Sequence, residues 1–152
     1  MLKDKLEDIA KELSANLTKT RKSFLMQVAP EKIFDACQKV STIDGYYHLS
    51  TITAVDTGEY ISVMYHFWRE KDFVTIKTDV PKSNPHLTSI SSFLPSSLLY
   101  EAEVKDLLGV IFDGNPLMGT RLLLPDVYPE DAPPPLTKEA DPEKIRRMME
   151  LE

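Results

Sequence analysis

Residues 100–125 read YEAEVKDLLGVIFDGNPLMGTRLLLP, and this block decides the fold. Tyr100, Val104, Leu107, Leu108 and Ile111 recur at helical spacing and predict one buried stripe. Glu101 and Lys105 stand four apart in the favourable order, which places them on a more polar face. Gly109 falls where such a helix stops, and Gly114-Asn115-Pro116 forces a turn. The block therefore reads as a helix, a short extended piece around Phe112, a turn, and an apolar run Leu122-Leu123-Leu124 closed by Pro125.

Upstream, residues 47–55, 60–68 and 73–80 are rich in β-branched and aromatic side chains and predict three strands. Asp56-Thr57-Gly58-Glu59 and Arg69-Glu70-Lys71-Asp72 separate them at hairpin lengths, so an antiparallel meander is expected. A short segment over residues 87–93 leads to Pro95-Ser96-Ser97, where a serine is expected to cap the next helix. Nearer the N-terminus, Leu2, Leu6, Ile9, Leu13 and Leu17 predict an amphipathic helix covering the domain's own sheet. Residues 23–28 read as a strand, and Pro30 opens a second helix with Ile33, Phe34, Cys37 and Val40 facing inward. The order predicts an α+β fold, an antiparallel-dominated sheet packed with helices.

Beyond Pro125 the composition changes. Pro129, Pro133, Pro134 and Pro135 stand among acidic residues and predict an extended, semi-rigid strap over residues 126–135. Such a strap either lies along a neighbouring subunit or is disordered. Asp141-Pro142 then makes a cap and first turn for a short helix holding Ile145, Met148, Met149 and Leu151. We therefore divide the chain into one domain, residues 1–125, and a strap with a terminal helix, residues 126–152.

Composition narrows the function. The 152 residues are 42% apolar, enough for a single core. No apolar run is long enough to span a membrane, and the charged start, Met1-Leu2-Lys3-Asp4-Lys5, shows no signal-peptide core. The lone Cys37 excludes an internal disulfide, and a cytosolic protein is expected. A net charge of -6 argues against non-specific nucleic-acid binding.

Chemistry-bearing patterns are few. His48, His66 and His86 are far apart and no CxxC or HExxH occurs, so no metal or iron–sulfur site is expected in this chain. His66, between Tyr65 and Phe67, reads as a structural strand residue. With five glycines there is neither a GxGxxG nor a P-loop, and no nucleotide site is expected. What remains is the acidic trio Glu101, Glu103 and Asp106. Glu103 and Asp106, three apart, are able to share a catalytic site; solvation or pairing with a partner's arginines are the other readings.

The block resembles the signature of the 30-kilodalton subunit family of respiratory NADH dehydrogenase, the C subunit of the bacterial enzyme. That family has relatives in energy-converting, membrane-bound [NiFe] hydrogenases. Its pattern runs Tyr-Glu-Arg-Glu, Asp, Gly-Ile-x-Phe-x-Gly-His-Pro, then Arg-Leu-Leu-x-Pro. Tyr100, Glu101, Glu103, Asp106, Gly109, Phe112, Gly114, Pro116, Arg121, Leu122, Leu123 and Pro125 stand at matching positions. Ile52-Thr53-Ala54-Val55-Asp56 and Val63-Met64-Tyr65-His66-Phe67 resemble its paired central strands, so the likeness spans residues 24–125. Ala102 replaces the usual arginine, Asn115 the usual histidine, and Leu117-Met118-Gly119-Thr120 lacks the usual charges. These departures suggest the hydrogenase-type branch.

The resemblance implies a non-catalytic structural subunit in the peripheral arm of a membrane-associated, ion-translocating redox complex. It would dock on the large catalytic-core subunit and the small iron–sulfur subunit, at the cytoplasmic face of the cell membrane. Iron–sulfur clusters, and nickel–iron in the hydrogenase branch, would lie in those partners. The signature residues with Pro133, Pro134 and Pro135 are the expected interface, and for the acidic trio the resemblance favours that interface or an internal pair between Arg121 and one of the carboxylates. An assembly chaperone of the same complex and a stand-alone hydrolase using Glu103 and Asp106 are the alternatives.

Overall fold

The computed structural model describes residues 1–45 and 48–150. A five-stranded sheet runs in the order β1-β2-β5-β4-β3, formed by β1 (Asn16–Lys19), β2 (Ser23–Gln27), β3 (His48–Asp56), β4 (Tyr60–Arg69) and β5 (Asp72–Pro81). Strands β3, β4 and β5 form the expected antiparallel meander. The pairing of β2 with β5 is parallel, which the sequence pattern did not predict. The crossover from β2 through α2 (Ile33–Ser41) to the meander brings these distant segments together. The fold is the expected α+β class, with a mostly antiparallel sheet packed with helices.

Alternation decides the two faces of the sheet. Ile61, Val63, Tyr65 and Phe67 on β4 and Val74, Ile76 and Val80 on β5 are buried. Register sets Ile52 beside Tyr65, Tyr65 beside Ile76 and Ile76 beside Met26, one apolar row across four strands. Helix α2 packs on β4 and β5 with Ile33, Ala36, Cys37 and Val40 buried, and Phe34 half-buried against Phe93. A 3-10 turn, Pro30–Lys32, precedes it. On the opposite face His66 lies between two threonines: Thr53 Oγ1 is 2.8 Å from Nε2 and Thr75 Oγ1 3.0 Å from Nδ1. Burial holds its pKa below the ordinary value.

Helix α1 spans Leu2–Glu12 and buries Leu6 and Ala10 against the domain itself. It ends earlier than the leucine spacing predicted. Ser14 takes φ 53, outside the helical region, and turns the chain into β1. Leu17 therefore reaches the core from a strand rather than from the helix.

The decisive block folds as α3 (Ser97–Leu108), β7 (Ile111–Asp113) and a turn at Gly114, which has φ 97. β7 pairs in parallel with β6 (His86–Thr88), and α3 packs along β3. Gly109 ends α3 in the left-handed conformation, φ 77, as the sequence indicated. The expected serine cap does not form: Ser96 occupies the cap position without a side-chain bond to the helix. Between β7 and α4 (Pro142–Met148) the described chain has no helix or strand. Asp141 caps α4 by accepting from the N–H groups of Glu143 and Lys144. Tyr47, expected to open β3, and Leu151, expected on α4, lie outside the described residues.

Candidate functional site

The signature residues act mostly from inside the molecule. Glu101 is fully buried, against the expectation of a polar face shared with Lys105. Its Oε1 accepts from the Ile90 N–H at 2.9 Å. Its Oε2 accepts from Ser89 Oγ at 2.7 Å and Asn115 Nδ2 at 2.8 Å. One carboxylate thus joins α3 to the segment after β6 and to the turn after β7. Burial pushes its pKa up, opposed by the bonds from Ser89, Ile90 and Asn115. That same carboxylate adds to the effect of burial in raising the Cys37 thiol and the Tyr65 phenol.

Asn115 is a structural residue that motif reading passed over as a mere departure. Its Nδ2 also donates to the Leu98 carbonyl at 3.1 Å, and its Oδ1 accepts from the Leu117 N–H at 2.8 Å. The signal in the sequence was its place between Gly114 and Pro116, where an Asn side chain can bond its own turn. Phe112 is fully buried, while Pro116 is exposed.

Asp106, near the C-terminal end of α3, holds the apolar run. Its Oδ2 accepts from the N–H groups of Leu122 and Leu123, each at 2.7 Å. Its Oδ1 lies 3.2 Å from Lys105 Nζ, which also donates to the Thr120 carbonyl at 2.9 Å. Burial raises the Asp106 pKa, but the Leu123 and Leu122 N–H groups and Lys105 outweigh it and leave the carboxyl below its usual range.

Among the described residues Arg121 does not pair with a carboxylate, the internal pairing that the resemblance allowed. Its Nη1 donates to the carbonyls of Tyr128 at 2.8 Å and of Pro125 and Asp126 at 3.2 Å each. Loop closure puts three carbonyls within reach of one half-buried guanidinium, and these satisfy it instead.

Nor does the structure unite Glu103 with Asp106. Glu103 is exposed and lines a groove of about 190 Å³ with Thr51, Ala54, Leu107 and Leu136. Asp106 lines a different cleft of about 180 Å³, with Arg121, Tyr128 and Pro134. Tyr100, half-buried, packs on the core with Leu107. Among the described residues no cluster of three metal-ligating side chains occurs. No described helix is long and apolar enough to cross a membrane.

The strap is not the extended segment that its prolines predicted: it folds back over its own domain through successive tight turns, closed by Tyr128 on Pro125, Ala132 on Pro129 and Thr137 on Pro134. Tyr128 is buried, and its hydroxyl donates to the Pro133 carbonyl at 2.6 Å. The Leu136 N–H donates to the Leu107 carbonyl at 3.0 Å. A Cβ on Gly109 would meet Pro134 Cγ at 3.0 Å, so the helix stop is also where the strap crosses closely. The Pro134 carbonyl also accepts from Thr137, and Pro135 is half-buried.

Comparison with known proteins places this geometry. The model of the family described as the respiratory-chain NADH dehydrogenase 30 Kd subunit matches residues 26–146. The beta subunit of the membrane-bound hydrogenase of Pyrococcus furiosus is 31% identical over 124 residues, covering 78% of this chain and 71% of that one. The C subunit of the NADH-quinone oxidoreductase of Salinispora tropica is 32% identical over 117 residues, covering 70% of this chain. The match covers 46% of that relative's length, and 30% of the corresponding Nocardioides protein, so the aligned chain spans less than half of either. The fold is shared with a chain in the membrane-bound sulfane sulfur reductase, an archaeal respiratory membrane complex. That likeness has a TM-score of 0.82 at 23% identity and covers 98% of this chain and 91% of that one. A trypsin-resistant fragment of Nqo5 superposes with a TM-score of 0.66 at 19% identity, over 76% of this chain and 98% of the fragment.

Proposed function

The chain belongs to the 30-kDa subunit family of respiratory-chain NADH dehydrogenase, and from that premise we propose that it is a non-catalytic structural subunit of a membrane-associated redox complex. It docks on the large catalytic-core subunit and the iron–sulfur small subunit, and holds their relative geometry. The iron–sulfur clusters, and nickel–iron if the complex is a hydrogenase, belong to those partners. Peripheral attachment at the cytoplasmic face follows from docking rather than from a span of its own.

One observation carries the reading. The two buried signature carboxylates, Glu101 and Asp106, commit their oxygens to fixing loops: Glu101 accepts from Ser89, Ile90 and Asn115, and Asp106 from the N–H groups of Leu122 and Leu123. A hydrolase using Glu103 and Asp106 would need both in one cleft, and they line separate ones. A scaffold instead needs what this chain has, a surface whose shape is set by buried polar anchors.

The test is purification of the tagged chain from detergent-solubilised native membranes, with mass spectrometry and iron and nickel analysis. Stoichiometric recovery of a large and a small redox subunit with iron supports the proposal, and nickel selects the hydrogenase branch. Substoichiometric, transient recovery favours an assembly chaperone. Recovery of the chain alone and metal-free overturns the proposal.

A further inference from the structure

Leu122 and Leu123 are 44% and 52% exposed, yet both of their backbone N–H groups are bound by one buried carboxylate. Asp106 accepts both N–H groups, Lys105 holds the Thr120 carbonyl, and Arg121 gathers the carbonyls of Pro125, Asp126 and Tyr128. Val127, 59% exposed, lies inside the same clasp. A buried carboxylate and a guanidinium thus fix the backbone of a loop whose apolar side chains remain in water. Fixing a loop in advance removes the ordering cost that docking would otherwise incur.

Charge identifies what those side chains meet. From residue 122 to residue 137 the sequence carries Asp126, Glu130 and Asp131 and no lysine or arginine. All three acids are exposed. A second copy would bring the same acids to the contact, in a chain of net charge -6, and an anionic lipid surface would repel them as well.

We infer that residues 122–131 form a preformed docking loop whose leucines enter an apolar recess of a partner subunit rimmed by arginine or lysine. This rests on the structural-subunit reading and adds the chemistry of the surface that receives it. Leu123 is the central anchor and the acids set orientation against the basic rim.

The experiment replaces Leu123 with photoreactive benzoylphenylalanine in the full chain and photolyses the detergent-solubilised native complex. Val55, 48% exposed on a sheet strand, carries the same probe as a control. The expected cross-link from position 123 falls on one partner subunit, in a peptide with apolar residues flanked by lysine or arginine. In parallel, Leu123→Asp weakens retention in the complex by about thirtyfold or more, as loss of a central anchor does. It leaves the melting temperature of the free chain unchanged. The triple variant Asp126→Lys, Glu130→Lys, Asp131→Lys dissociates at lower salt than wild type.

Cross-linking to a second copy, to lipid, or to a partner peptide without basic residues overturns the inference. So does a Leu123→Asp chain that stays in the complex as firmly as wild type; the structural-subunit reading then survives. A wild-type chain that runs free of any complex sinks both.

Discussion

The backbone N–H of Lys138 donates to the Asp56 carboxylate at 2.8 Å, joining the strap to the end of β3 across 82 residues of sequence. Lys82 Nζ meets the same carboxylate at 2.6 Å and reaches Glu139 as well. Asp56 also accepts from the Gly58 N–H at 2.8 Å within its own turn. A single nearly buried side chain therefore fixes a hairpin turn and the C-terminal segment together.

This tether should release in acid. The Lys82 ammonium, with the Lys138 N–H, holds the Asp56 carboxyl down at about 2. A depressed native value gives stability that is full above the unfolded value of about 3.9 and lost as pH falls through about 2. Asp56→Asn should flatten that part of the acid unfolding curve. Unchanged acid sensitivity in the variant would show that other carboxylates set it.

Division of the chain at Pro125 makes a separate prediction. The main hydrophobic cluster draws its buried residues from between Leu6 and Phe112; buried Tyr128 and Ile145 lie outside it. Residues 1–125 should keep a cooperative transition, with the melting temperature lowered by roughly 5–10 °C for a loss of a few kcal/mol. The loss arises because Asp56, Lys82 and the Leu107 carbonyl all lose strap partners. A non-cooperative thermal transition would mean that the strap belongs to the core unit.

Glu101 allows a test of the buried network. Glu101→Ala leaves the Ile90 N–H, Ser89 Oγ and Asn115 Nδ2 without their acceptor and should cost about 3 kcal/mol or more in urea unfolding. Because burial raises the native pKa, its contribution is full below the unfolded value of about 4.3 and declines as pH rises through the native one. The advantage of wild type over Glu101→Gln should therefore shrink as pH rises above about 4.3, the unfolded value. An advantage that grows with pH would mean that the native site favours the charged form.

The meander was legible because residues 47–55, 60–68 and 73–80 are rich in β-branched and aromatic side chains and are separated at hairpin lengths, signals that need no long-range information. Gly109 was legible for a similar reason, since helix stops have local chemistry. Glu101 was not. Its neighbours on α3 suggest a polar face, and only donors from Ser89, Ile90 and Asn115, brought together by β6 and β7, make burial tolerable. The end of α1 was hidden because Ser14 adopts positive φ without a glycine to announce it. The partner of Arg121 was left open between an interface and an internal carboxylate, because its acceptors are backbone carbonyls, which every sequence has and no pattern reveals.

Asp106 separates support of the helix from support of the loop. Asp106→Ala removes the acceptor for Leu122 and Leu123 and the neighbour of Lys105, and should cost about 1–3 kcal/mol. Asp106→Asn keeps one carbonyl oxygen for the two N–H groups and should cost less. The distinguishing readout is limited chymotrypsin digestion under native conditions. Loosening the clasp exposes the bonds after Leu122 and Leu123, so cleavage there should rise in Asp106→Ala before the sheet unfolds. A loss of stability with no new cleavage would place the contribution of Asp106 in α3 itself, and the preformed loop would then depend on Arg121 and Lys105.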